Sequence, residues 1–157
     1  KKQLEKEIEI LEVKLQAMLE QWQPAQLKSV GSIKGIGKRA TAMLIVFTQG
    51  FKYTHSHRQL ISFAGLSPTE YSSGSSIHGK SRIYKRGGKN LRDVLYMCSM
   101  NAIKTNTACK TLYERLRANG KTGKQALIAV CNKLLKQVFA VVKNNSLYQP
   151  NYCSAKP

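Results

Sequence analysis

The chain is short of acid. Only 8 of its 157 residues are Asp or Glu, against 26 Lys and Arg, for a formal charge of +18. The deficit is uneven: residues 1–20 hold five glutamates and four lysines, so from residue 21 onward 22 cations face only Glu70, Asp93 and Glu114. Carboxylates so few and so scattered do not assure the clustered set that holds catalytic divalent ions, so any active site here is expected to be half of a composite one. Cysteine is sparse as well. Cys98, Cys109, Cys131 and Cys153 form no CxxC pair, so a structural zinc is disfavoured and reduced thiols are expected. No stretch approaches about 18 uninterrupted apolar residues and the cations are not gathered on one amphipathic helix, so no membrane partner is expected. The first residues, Lys1-Lys2, offer neither an initiator methionine nor a signal h-region. An internal piece of a longer, cytoplasmic and nucleoid-associated protein is the expectation.

What is present is a foldable, polyanion-seeking chain. Apolar residues make up 42% of it, and the length suits one sizeable core with appendages. A body this basic repels itself unless a polyanion lies near, and nucleic acid is the commonest such partner.

Leu4, Ile8, Leu11, Leu15, Met18 and Trp22 recur in alternating steps of four and three, a heptad seam flanked by Glu and Lys. A coiled-coil-like helix over 1–23 is expected, with Pro24 ending or restarting it. The stretch Ile33-Lys34-Gly35-Ile36-Gly37-Lys38-Arg39 then leads into an apolar helical run and resembles a helix–hairpin–helix. In that motif Gly35 and Gly37 permit the turn, and amides at the next helix start face a DNA phosphate beside Lys38 and Arg39. Such a contact grips the backbone and reads no bases; a turn that merely packs is the plainer alternative. Tyr53–Leu66 reads as a short helix capped by Thr54 or Ser56, its His55 and His57 too badly spaced for a metal pair. Helices are expected over Leu91–Thr105, Asn106–Ala118 and Thr122–Val142, and a loosely held tail over 144–157.

Between the helices lies a loop from Glu70 to Arg92. Ser72, Ser73, Ser75 and Ser76 crowd its first half, and Lys80, Arg82, Lys85, Arg86, Lys89 and Arg92 its second. Hydroxyls, cations and glycines together suit a phosphate site, although a solvated Ser/Gly loop has the same composition. Glu70–Ser72 and Ser81–Tyr84 have short, partly β-prone character, and a small hairpin or extended excursion around His78-Gly79 is expected.

The order of these features resembles the C-terminal transposase domain of the IS-one-ten insertion-sequence family, which includes the pilin-gene DNA invertases. The likeness is carried by Gly35-Ile36-Gly37, Phe63-Ala64-Gly65-Leu66-Ser67-Pro68, the Ser73–Gly87 segment, Leu91-Arg92-Asp93-Val94-Leu95-Tyr96-Met97 and Tyr113–Lys121. It runs from about Leu27 to Val142. The resemblance implies a mainly α recombinase domain, over 24–143, with a helix–hairpin–helix and a short β or loop excursion. It also implies that Ser73, the serine before Gly74, attacks DNA and holds a covalent 5′-phosphate link. Chemistry alone leaves Ser72, Ser75 and Ser76 open, and no general base is evident. Lys80, Arg82, Lys85, Arg86 and Arg92 are the expected phosphate clamp. Family members carry a RuvC-like domain ahead of this one, so Mg2+ is expected there and no cofactor in this chain. The partners expected are DNA, further copies of the chain through the N-terminal helix and, left open, a structured guide RNA. Transposase and invertase are both compatible, and a non-catalytic helix–hairpin–helix module is the alternative.

Overall fold

A computed structural model describes residues 2–69, 72–73, 77–78, 82–83 and 87–150, with side chains described for 3–68, 83 and 87–150. The fold is mainly α. In chain order come α1 (Lys2–Trp22), α2 (Pro24–Gly31), α3 (Lys38–Phe47) and α4 (His57–Phe63). Four two-residue strands follow, β1 (Pro68–Thr69), β2 (Ser72–Ser73), β3 (Ile77–His78) and β4 (Arg82–Ile83), then α5 (Lys89–Thr105), α6 (Thr107–Ala118) and α7 (Gly123–Lys143).

The core is built on α7. Its start is fixed by a capping box: Thr122 Oγ1 accepts from the Gln125 amide at 3.3 Å, and Gln125 Oε1 accepts from the Thr122 amide at 3.0 Å. Val130, Cys131, Leu134, Leu135 and Val138 are sealed from solvent, and the helix packs against α2, α4, α5 and α6. By length and composition α7 could cross a bilayer. Its buried face packs on α2, α4, α5 and α6.

Helix α5 lies across α7 through Leu91, Leu95, Cys98 and Ala102, a spacing that keeps them on one face. Asn106 separates α5 from α6 and caps the latter, its Oδ1 accepting from the Cys109 amide at 3.3 Å. The same side chain is 1% exposed and uses every bonding position it has. Its amide nitrogen donates to the Lys34 carbonyl at 3.2 Å and to Gln137 Oε1 at 3.1 Å, and its oxygen also accepts from the Tyr148 hydroxyl at 3.1 Å.

Three expectations are corrected or sharpened. Helix α4 starts at His57, four residues after the expected Tyr53, because Ser56 and Gln59 form a second capping box. In the expected excursion β2 and β3 pair antiparallel, Ser72 with His78 and Ser73 with Ile77, so His78 belongs to a ladder. The outer ladder pairs Pro68 with Ile83 and Thr69 with Arg82. In the segment after α7, expected to be loose, Tyr148 is tied down: its amide donates to Ser32 Oγ at 2.8 Å and its ring oxygen joins the Asn106 network. Residues 151–157, including Cys153, lie outside the described residues.

Helix α1 forms where the heptad pattern places it and packs on α2 and α3. It does so through Leu19, 2% exposed, which is not a seam residue. Leu4, Ile8, Leu11, Leu15, Met18 and Trp22 all remain exposed.

Candidate nucleic-acid interface

Two features meet on α5. The first is the turn joining α2 to α3, anchored from below by Val30, Ile33 and Ile36, all buried. Gly35 has φ +100, and a Cβ there would lie 2.6 Å from Ala102 Cβ and 2.7 Å from Ala102 Cα. Any side chain would collide with α5, so glycine is required twice over, by conformation and by space. Gly37 differs: extended, exposed and with open space around it, it is the N-cap of α3 and supplies no side-chain cap. The Gly37 carbonyl closes the first helical turn by accepting from the Thr41 amide at 2.9 Å. The earlier amides of α3 therefore have no intrahelical acceptor, and the positive end of the helix dipole is uncovered. Lys38 and Arg39 are exposed beside it, while Ala40, Thr41 and Ala42 are buried behind.

Arg39 Nη1 lies 3.8 Å from Glu12 Oε1 of α1, both side chains being largely exposed. A pair so solvated is weak, so Arg39 can exchange this carboxylate for another anion at little cost. Beneath the turn, burial pushes the Cys98 thiol above its usual value, and the Gly37 backbone amide offsets part of that effect.

The second feature is the root of the β excursion. After α4 the chain turns at Gly65, φ +68, with the Leu66 amide donating to the Ile61 carbonyl at 3.0 Å. It returns at Gly87, where a Cβ would lie 2.2 Å from the Gly65 amide nitrogen and 2.4 Å from the Phe63 carbonyl oxygen. Backbone meets backbone here. The Gly88 amide donates to the Phe63 carbonyl at 3.2 Å, and Arg92 Nη1 donates to the Ala64 carbonyl at 3.4 Å. Arg92, expected in the phosphate clamp, thus spends one donor fastening the loop root.

Ser73 is the last residue of β2, opposite Ile77. Arg82 is described by its backbone, opposite Thr69 in β4. The side chains of Ser73 and Arg82, and Lys80, Lys85 and Arg86 altogether, lie outside the described residues, as do Glu70, Tyr71, Ser75 and Ser76. Gly35, Gly37, Lys38 and Arg39 come together on one turn; Arg92 stands apart, at the other end of α5. Ala102 and Arg92 are about 15 Å apart along the axis at 1.5 Å per residue.

No group of three His, Cys, Asp or Glu side chains able to hold a metal occurs among the described residues. Glu114 sits 3.9 Å from Lys110 Nζ on its own helix, and Asp93 is on α5. These residues do not fit a divalent-ion site. Sequence reasoning missed the Gly65–Gly87 pinch, the Asn106 network and the Tyr148 anchor. The Ser56-x-x-Gln59 and Thr122-x-x-Gln125 boxes could have been found from spacing alone.

The sequence profile of the family described as transposase IS116/IS110/IS902 matches residues 27–114, from α2 through most of α6. The chain belongs to that family. Residues 27–114 of this transposase-family chain take in the α2–α3 turn, the β excursion and α5. It is 31% identical over 139 residues to the "Insertion element IS110 uncharacterized 43.6 kDa protein" of Streptomyces coelicolor, covering 88% of this chain and 34% of that protein. It is 36% identical over 117 residues to the pilin gene-inverting protein of Moraxella lacunata, covering 74% of this chain and 36% of that one. A pilin gene-inverting protein of Moraxella bovis matches with the same identity and coverage. The chain spans about a third of the length of these curated relatives.

Proposed function

We propose that the chain is the DNA-gripping, nucleophile-bearing domain of a DNA recombinase, a transposase or an invertase. The start of α3 binds a backbone phosphate, with the uncapped amides after Gly37 as donors and Lys38 and Arg39 as counter-charges. Ser73 attacks a second phosphate: its Oγ bonds to phosphorus, the bond to the 3′ oxygen breaks, and a 5′-phosphoserine link and a 3′-hydroxyl result. The proton leaves Ser73 for the departing oxygen by way of a base not among the described side chains. Lys80, Arg82, Lys85 and Arg86 neutralise the charge that develops on phosphorus.

The observation that supports this best is the shared use of α5. One rigid helix carries the α2–α3 turn at Ala102 and fastens the root of the Ser73 excursion at Arg92, about 15 Å away. A single helix that seats both features suits two backbone contacts made on one nucleic acid. Mg2+, which the described carboxylates do not fit, is assigned to another domain of the full-length protein. The exposed seam of α1 is assigned to pairing with a second copy of the helix.

Duplex binding titrated against salt tests the gripping half. Affinity should fall linearly on logarithmic axes, and Lys38→Ala with Arg39→Ala should lower the slope by about 0.9 per lost contact. Unchanged slope and affinity in the double variant would assign the turn to packing alone.

A further inference from the structure

Between α3 and α4 the chain makes a tight turn in which Gln49, Gly50 and Phe51 all have positive φ, at 51°, 69° and 63°. Left-handed backbone at two non-glycine positions, Gln49 and Phe51 on either side of Gly50, is costly and persists only where surroundings enforce it. They do: Phe51 is 8% exposed, its amide donates to both the carbonyl (3.0 Å) and Oγ1 (3.2 Å) of Thr48, and that hydroxyl donates to the Leu44 carbonyl at 2.7 Å. The rigid turn presents Tyr53, 65% exposed, toward Phe47 and Phe63, which are 44% and 48% exposed.

These three aromatic side chains wall one cavity of about 330 Å3. Gln49 and Gln59 also line it, and no acidic residue among the described residues does. Gln59 Oε1 is committed to the amides of His55 and Ser56, at 2.8 and 3.2 Å, and its amino group has no acceptor among the described residues. Lys52 Nζ stands 5.6 Å from the centre of the Tyr53 ring, adding positive charge beside the wall. Scattered exposed aromatics need no explanation, but three around one cavity do. The cavity also adjoins the loop root, since the Phe63 carbonyl is the acceptor for Gly88.

We propose that this cavity takes an unpaired nucleobase of a nucleic-acid strand, stacked on Tyr53 and held at a carbonyl edge by the Gln59 amino group. Flat π-faces, amide donors and a flanking cation are what single-strand recognition uses, whereas a duplex hides the base faces. The position beside the Ser73 excursion suits a strand opened next to the cleavage point. This inference rests on the reading of the chain as a nucleic-acid enzyme.

The test is fluorescence anisotropy with a short oligothymidine and with a blunt duplex of equal length. Tyr53→Ala and, separately, Phe63→Ala should each weaken oligothymidine binding about tenfold while leaving duplex binding unchanged. Tyr53→Trp should retain it, and in a Trp22→Phe background the introduced indole should be quenched by oligothymidine. Equal losses on both probes, no loss on oligothymidine, or a Tyr53→Ala variant altered only in its sedimentation would overturn the proposal. Circular dichroism confirms that the variants stay helical. Salt-dependent duplex binding that survives while the single-strand effect is absent removes the pocket alone; failure of duplex binding as well removes the broader reading.

Discussion

Gly35 and Ala102 are in such close contact that a single added carbon at residue 35 would sit 2.6 Å from the alanine methyl group. That contact seats the α2–α3 turn on α5, and through α5 it places the turn relative to the loop that carries Ser73.

Gly35→Ala should therefore be severe. It combines a collision against helix backbone with a φ of +100 that L-residues avoid, and a loss of about 2–4 kcal/mol is expected in urea denaturation.

Gly37→Ser separates stability from binding. With extended backbone and open space around it, serine fits without strain and caps α3, a gain of some tenths of a kcal/mol (~0.5). The new hydroxyl occupies an amide that the proposal gives to phosphate, so duplex affinity should fall while the melting temperature rises. A variant that is stabilised and binds duplex DNA normally would remove those amides from the interface.

Asn106→Ala should cost about 1–3 kcal/mol, because the Lys34 carbonyl loses its side-chain donor and the Tyr148 hydroxyl its acceptor, while the Cys109 amide keeps only the Asn106 backbone carbonyl at 3.0 Å. Tyr148→Phe removes one member and should cost about 1 kcal/mol. Hydrogen exchange should show the α2–α3 turn opening more readily in both.

Alkaline pH should destabilise the fold. Burial pushes the thiols of Cys109 and Cys131 from 9.0 up to about 11. Between those values the unfolded chain releases the protons while the native one keeps them, so stability is full below about pH 9 and declines toward pH 11. Replacing both by Ala should flatten that part of the profile, read as urea midpoint against pH.

Much of the fold was legible because it depends on local periodicity. The apolar spacing of α5 and α7 predicts their buried faces, and Gly120 at φ +74 ends α6 where Asn119-Gly120 suggests. What escaped depends on contacts distant in sequence. Nothing near Asn106 announces that Tyr148 will reach it, and nothing near Gly87 announces that Gly65 will lie against it. The seam of α1 predicts the helix itself, and the contact it could not announce is the one through Leu19, off the seam, by which the domain holds the helix. For the site, the α2–α3 turn was readable from Ile33 to Arg39, whereas Arg92 read as a free cation because its acceptor, the Ala64 carbonyl, is 28 residues away.

The central claim is that Ser73 becomes joined to DNA. The most direct measurement incubates the full-length protein with duplex DNA carrying its candidate recombination site, denatures it, and maps any nucleotide-bearing peptide by mass spectrometry. The account predicts a 5′-phosphonucleotide on Ser73, absent in Ser73→Ala together with strand exchange, while duplex binding is kept. An adduct on another residue, or strand exchange undiminished in Ser73→Ala, would contradict it.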